Sequence, residues 1–230
     1  NEYVRDVNGE NDKEPVTYRI QYSMYDDYGN IGQVYNHGNE AVSNDDSSQM
    51  VEYVKNLDNY IFAPLSVAVS SYDLDGNWGI SARSRYIYDN LSYGEIDKGL
   101  CTRQKVLENV IDGVEEYIDI TYRHDDWGNI EWIKDARAND EEYTGYTSHI
   151  TYDAGCRTYP RFTVNAAGHK TETRYNNYMW PERVIDSNSV STYTGYDEFG
   201  RIKWIRGPFD NENSRGSMIT YEDYKSPQYI

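Results

Sequence analysis

The chain has 230 residues and a formal net charge of −17 at pH 7, and Leu, Ile, Val and Phe together supply about 18% of it. So acidic and aliphatic-poor a balance excludes a nucleic-acid binder, which needs a basic surface, and by itself describes an unfolded segment. The 25 Tyr and 5 Trp overturn that second reading, because each buried aromatic withdraws about 150–250 Å² from water; the expectation is a folded protein with an aromatic, polar-tipped core.

The first clear element is "VTYRIQYSM", where Val16, Tyr18, Ile20, Tyr22 and Met24 alternate with polar residues at strand period. It runs into "YDDYGNI" (Tyr25–Ile31), in which Asp26 precedes an aromatic and Gly29. Asp at the head of a tight turn accepts the turn's own N–H groups, and Gly three residues later takes the left-handed conformation a hairpin requires. "YDLDGNW" (Tyr72–Trp78) and "YDNLSYGE" (Tyr88–Glu95) are further turn candidates. The Asp73, Asp75, Asn77 spacing imitates the start of a calcium loop. Gly76 comes one position early for that loop, and Ser84 stands where its bidentate Glu belongs, so a hairpin fits better.

Residues 102–117 are the one place that admits a short helix, since Val106, Leu107, Val110 and Val114 recur at helical spacing; β-branching and Gly113 argue against it. "YIDITYRH" alternates again and enters "HDDWGNI", with Asp125 and Gly128 at the turn and Ile130 and Trp132 on one face of the next strand. "TSHITYD" leads to Tyr152 and Asp153, where Cys156 replaces the usual Gly. "VNAAGHK" turns at Gly168, and "KTETRYN" and "VSTYTGYD" are β-rich. The last full copy, "YDEFGRI", places Tyr196, Asp197 and Gly200 before Ile202 and Trp204. The parity of the repeated Tyr changes from copy to copy, so bulges must intervene. The predicted fold is all-β, a series of stacked antiparallel hairpins over a single segment, 1–230.

Recurrence also decides the chemistry. Acid pairs such as Asp26–Asp27 and Asp125–Asp126 appear in copy after copy, as turn capping requires and one active site does not. His37, His124, His149 and His169 form no HExxH and no close pair, and Cys101 and Cys156 have no metal-knuckle spacing. No catalytic residue, metal or cofactor is predicted, and no stretch reads as a membrane span. Whether the two cysteines pair stays open. The densest basic cluster, Lys203 and Arg206 near Arg201, sits among Asp197, Glu198 and Asp210 and reads as a solvated strand face. The tryptophans could stack on glycans, but the shared face of Ile130 with Trp132 and of Ile202 with Trp204 favours packing between hairpins.

The pattern Tyr-Asp-x-x-Gly-Arg-Ile resembles the core of the Rhs, or YD-repeat, family. The run from Ile150 to Pro208 is similar to consecutive repeats of that family, and "YIFAPLSVAVSSYDLDGNWGISARSRYIYDN" resembles the YD-repeat region of the B component of bacterial insecticidal toxin complexes. The resemblance covers nearly the whole chain. Departures are His124 for Tyr, Cys156 for Gly, and "DSNS" at Asp186–Ser189. The resemblance implies a curved strip of a hollow, secreted or cell-surface shell. Its partners would be the rest of its own shell protein or a second shell component, and an enclosed toxin polypeptide. A cell-surface module that binds a glycan or a partner protein is the alternative.

Overall fold

The computed structural model describes residues 2–7, 16–42, 44–139, 147–211 and 216–221. They fall into two compact units, one running to His124 and resuming over Lys134–Asn139, the other comprising Asp125–Ile133 and the residues from Thr147 onward.

In the first unit eight strands follow in chain order: β1 (Glu2–Val7), β2 (Val16–Tyr25), β3 (Ile31–Asn39), β4 (Ser47–Asn56), β5 (Ile61–Tyr72), β6 (Trp78–Tyr88), β7 (Cys101–Ile111) and β8 (Val114–His124). Each pairs antiparallel with the one before it. A single 3₁₀ turn, Arg137–Asn139, follows the last of the second unit's opening residues. Cross-strand rows show why the sheet is two-faced. Val51, Val67, Ser84, Val106 and Ile118 are directly opposed on one side. On the other, Ser66, Arg85, Lys105 and Asp119 are opposed in turn. There Lys105 pairs with Asp119 at 3.3 Å, and Arg83 and Arg85 share Glu115. The apolar cluster is small: Val54, Tyr88 and Ile96 are buried, with Ile61, Ala63, Leu65, Tyr86 and Cys101 packed around them.

The segment 102–117 contains no helix. Its residues are the facing halves of β7 and β8, joined by Asp112 and Gly113 at φ 50° and 80°. Left-handed dihedrals at both central positions define the type I′ hairpin that Asp-Gly favours, and the flanking β-branched residues suit a pleated surface better than a helical turn. The helical spacing of Val106, Val110 and Val114 is thus incidental to strand alternation. Met24, expected on the apolar face of β2, is instead 62% exposed at φ 55°.

The second unit is built the same way from β9 (Ile130–Lys134), β10 (Ser148–Tyr152), β11 (Pro160–Asn165), β12 (Lys170–Tyr175), β13 (Pro181–Ile185), β14 (Ser191–Tyr196), β15 (Ile202–Arg206) and β16 (Ser217–Met218). All neighbouring pairs are antiparallel. One face carries β-branched rows such as Thr173, Val184 and Thr192, and the other carries longer charged and aromatic side chains. Among its described residues none is fully buried, so neither face is sealed from solvent by the unit itself.

Candidate functional site

Seven turns among the described residues share one hydrogen-bond pattern. They are headed by Asp26, Asp73, Asp125, Asn165, Asn176, Asp186 and Asp197. In each, the head residue's carbonyl accepts from the N–H three residues on, and its own N–H donates to the carbonyl four residues on. Its side-chain Oδ1 accepts the N–H groups two and four residues on, at 2.8–3.0 Å. The fourth residue has positive φ throughout: Gly29, Gly76, Gly128, Gly168 and Gly200, but Met179 and Ser189 in the other two. This hydrogen-bonding explains the recurrent acid. It also explains why Asn serves equally at positions 165 and 176, since only one side-chain oxygen is needed.

Two further carboxylates organise longer loops. Asp153 closes on Tyr159 rather than four residues on, and its two oxygens gather the N–H groups of Gly155, Cys156, Thr158 and Tyr159. The left-handed residue there is Arg157, not Cys156, so Cys156 is not a substitute for the turn glycine. Asp89 closes on Leu100 and accepts from Asp97, Lys98, Gly99 and Leu100.

The tyrosines perform a separate task. A register shift sits directly before Tyr53, Tyr88, Tyr152, Tyr175 and Tyr196, and a bulge re-aims the side chain that follows it. Each re-aimed hydroxyl donates to a backbone carbonyl in the first residues of the preceding strand. In the first unit Tyr25 faces Ile31, Tyr53 donates to Ile31 O, Tyr53 faces Pro64, and Tyr88 donates to Pro64 O. In the second, Tyr152 donates to Ile130 O, Tyr175 to Pro160 O, Tyr196 to Pro181 O and Tyr221 to Ile202 O, at 2.7–3.0 Å. Proline suits this position because it has no N–H to leave unpaired while its carbonyl still accepts. Where the relay runs, a Tyr bonds one hairpin to the one before it, and an Asp or Asn folds the hairpin on itself. Tyr196→Phe is expected to lower the unfolding free energy by about 1 kcal/mol through loss of the bond to Pro181, read as a shift of the urea midpoint.

The packing residues lie as follows. Trp132 of β9 stacks on His149 of the paired strand at 3.7 Å between ring centroids, 6° from parallel. Trp204 of β15 lies over Gly195, its direct partner on β14, so closely that a Cβ there would fall inside the indole. Trp180 covers Gly200, where a Cβ would meet the ring at 2.7 Å. Ile130 and Ile202 are the turn exits whose carbonyls receive Tyr152 and Tyr221. Cys101 and Cys156 are both free, the first half-buried and the second exposed. Sequence reasoning missed the turn headed by Asn176, because Met179 replaces Gly; the Asn three residues before it was the available signal. The turn at Asp186, a departure from the family pattern by sequence, and the candidate turns at Asp73 and Asn165 have hydrogen bonds that match those at Asp26, Asp125 and Asp197.

The carboxylates of Asp26, Asp153 and Asp197 are held below the usual carboxylate range. At Asp26 the Lys55 ammonium, 2.8 Å away, is the main cause, followed by the Asn30 amide. Asp153 is lowered to about 2, chiefly by the Cys156 N–H, with burial opposing. At Asp197 burial pushes upward, but the N–H and guanidinium of Arg201 outweigh it. A depressed carboxylate stabilises the fold fully above its unfolded value and loses that contribution as pH falls through its folded value. The urea midpoint should therefore be flat above about pH 4 and decline between there and about pH 2, the value held at Asp153.

No protein-family model matches the chain, and no curated protein sequence does. Solved structures do. The structure of TcdB2-TccC3-Cdc42 aligns over 100% of this chain with TM-score 0.52 at 11% identity. That of TcdB2-TccC3 aligns over 100% with TM-score 0.51, also at 11% identity. The chain spans 16% of the length of each matched chain. With the antiparallel meander and its relayed Tyr and Asp contacts, this likeness establishes that the chain has an Rhs-shell-like fold.

Proposed function

We propose that this chain is a wall segment of an Rhs-type β-cocoon that encloses a toxin or effector polypeptide. Its role is structural rather than enzymatic, and its parent protein is secreted. The observation that carries the reading is the relay of tyrosine hydroxyls onto carbonyls early in the preceding strand. Where it runs, it ties a hairpin to its predecessor and so builds a sheet that can be extended indefinitely by the same rule. A sheet whose second unit buries no described residue fully also calls for further protein against it. The likeness to TcdB2-TccC3 supports the reading at the level of fold. The test is protease treatment of the intact parent protein. The enclosed polypeptide should survive until the shell is opened by acid, and digestion at the rate of the free polypeptide would refute encapsulation.

A second reading, a surface module that binds glycans, is favoured by one observation. The third residue of three turns in the second unit is a strongly exposed aromatic: Trp127 at 65%, Tyr178 at 74% and Phe199 at 78%. These turns share one end of the strands, whereas Ala167 and Asn188 hold the same position at the other end. A glycan array probed with wild type and Trp127→Ala separates the readings, since encapsulation predicts no glycan signal for either.

A further inference from the structure

A groove of about 960 Å³ opens on the second unit between β12 and β15, and its lining includes Tyr178, Trp180 and Tyr196 together with Glu182 and Glu198. The three rings form one cluster: Trp180 stacks with Tyr178 at 5.1 Å between centroids and meets Tyr196 at 5.3 Å. Packing fixes Trp180, which lies against Gly200 so closely that a Cβ there would meet the indole at 2.7 Å. Tyr178, at the turn tip, is nonetheless 74% exposed. Among the described residues, the other turns whose third residue is aromatic each carry one of the chain's own cations on that ring. Lys55 sits 4.9 Å from Tyr28 and 2.8 Å from Asp26, the head of that turn. Arg157 sits 4.6 Å from Trp127. Arg201 sits 5.2 Å from Phe199 and 2.6 Å from Asp197, the head of its turn. On the strands, Arg183 and Arg206 hold Tyr193 between them at 5.2 and 4.6 Å, in a cross-strand row that begins at Arg174. The Tyr178–Trp180–Tyr196 cluster is different. Among the described residues no Lys or Arg lies over any of its rings, and the Glu182 and Glu198 carboxylates enter no ion pair or hydrogen bond. The reason is local: a neutral residue, Asn176, heads this turn, and Trp180 stands where Arg201 stands in the turn of Asp197.

We propose that this cluster receives an arginine side chain of a partner polypeptide, stacked on the Tyr178–Trp180 pair with Glu182 and Glu198 as its counter-charges. The inference concerns the groove alone and holds whether or not the parent protein encloses a cargo. Aromatic faces attract cations through the ring quadrupole. The guanidinium is the cation that lies flat on a ring while its edge N–H groups stay available to a carboxylate. The chain makes that combination itself at Arg201, which sits on the Phe199 ring and pairs with the Asp197 carboxylate. At the turn of Asn176 the ring and the acids are present, and the chain supplies no cation of its own among the described residues. The rest of the lining includes Thr194, Gly195 and Trp204, which carry no charge and suit the uncharged neighbours of an arginine. Arg183 also lines the groove, with no carboxylate within ion-pair distance among the described residues, and it repels a second cation. The fit is therefore to an isolated arginine and not to a polybasic tract. The net charge of −17 draws such a segment in and repels polyanions such as sulfated glycans.

The test is fluorescence anisotropy of the full chain with a labelled, end-capped peptide, Gly-Ala-Arg-Ala-Gly, against the same peptide with citrulline, which keeps the planar group and removes the charge. The arginine peptide should bind about tenfold or more tightly, and its affinity should fall as salt rises. Tyr178→Ala and Glu198→Gln each alter a side chain that makes no described hydrogen bond. Both should keep the wild-type circular dichroism and weaken binding of the arginine peptide about tenfold. Trp127→Ala, at a turn whose ring already carries Arg157, should leave peptide binding unchanged. Equal affinity for the two peptides, undiminished binding in either groove variant, or loss of binding in Trp127→Ala would each overturn the proposal. Binding of labelled maltohexaose, a neutral glycan, and not of the peptide would also overturn it, and would assign Tyr178 to the glycan reading.

Discussion

Replacing Asp89 by alanine should lower the unfolding free energy by about 3–5 kcal/mol, the largest effect expected of any single polar substitution here. The carboxylate accepts four backbone N–H groups: those of Asp97, Lys98 and Gly99 on Oδ2 and that of Leu100 on Oδ1, at 2.9–3.0 Å. Hydrogen bonds to an ionised acceptor contribute about 1.5–3 kcal/mol each, and four on one group do not add fully. The loop they hold also delivers Ile96, which is buried against Val54 and Tyr88. Loss of the carboxylate therefore removes both the loop's hydrogen bonds and part of the cluster beneath it. Asp89→Asn should fall between, because a single amide oxygen cannot serve donors that now use both carboxylate oxygens. Urea unfolding measures the total. Hydrogen exchange at residues 97–100 localises it, and unchanged protection there would show that Asp89 does not organise the loop.

Tyr88→Ala should cost about 3–5 kcal/mol, and Tyr88→Phe only about 1 kcal/mol. Tyr88 is 5% exposed, packs with Val54 and Ile96, and donates to Pro64 O at 2.7 Å. Burial, reinforced by the nearby Cys101 and Tyr86, pushes its phenol well above the ordinary value, so it remains a donor across the working pH range. The alanine variant loses both ring packing and relay; the phenylalanine variant loses only the relay. The ratio of the two midpoint shifts thus separates the contribution of the aromatic cluster from that of the hairpin-to-hairpin bond. Equal losses would mean that the hydroxyl, not the ring, secures this position.

Much of the fold was legible because its turns are local. Asp26, Asp125 and Asp197 close their turns with hydrogen bonds that reach no further than four residues on, so the turn pattern is complete in a short stretch of chain. The aromatic excess likewise signalled a folded sheet, and strand alternation identified most of the strands. The tyrosine relay was not legible as such. Tyr175 and Pro160 are brought together by the length of the intervening hairpin and by a bulge before Tyr175, and neither feature is visible at the level of residue type.

Residue type alone therefore determined most of the places where the chain turns and that it is strand between them, since these depend on backbone dihedrals and on donors a few residues away; the turns at Asn176 and at Asp112–Gly113 escaped it. Only the tertiary structure decided that 102–117 is a hairpin, that Asp153 closes a longer loop, which carbonyl each tyrosine meets, and that Arg174, Arg183 and Arg206 stand in one row. Those outcomes depend on register. In a sheet, register is the sum of loop lengths and bulges along the chain, and each one-residue shift sends every later side chain to the other face.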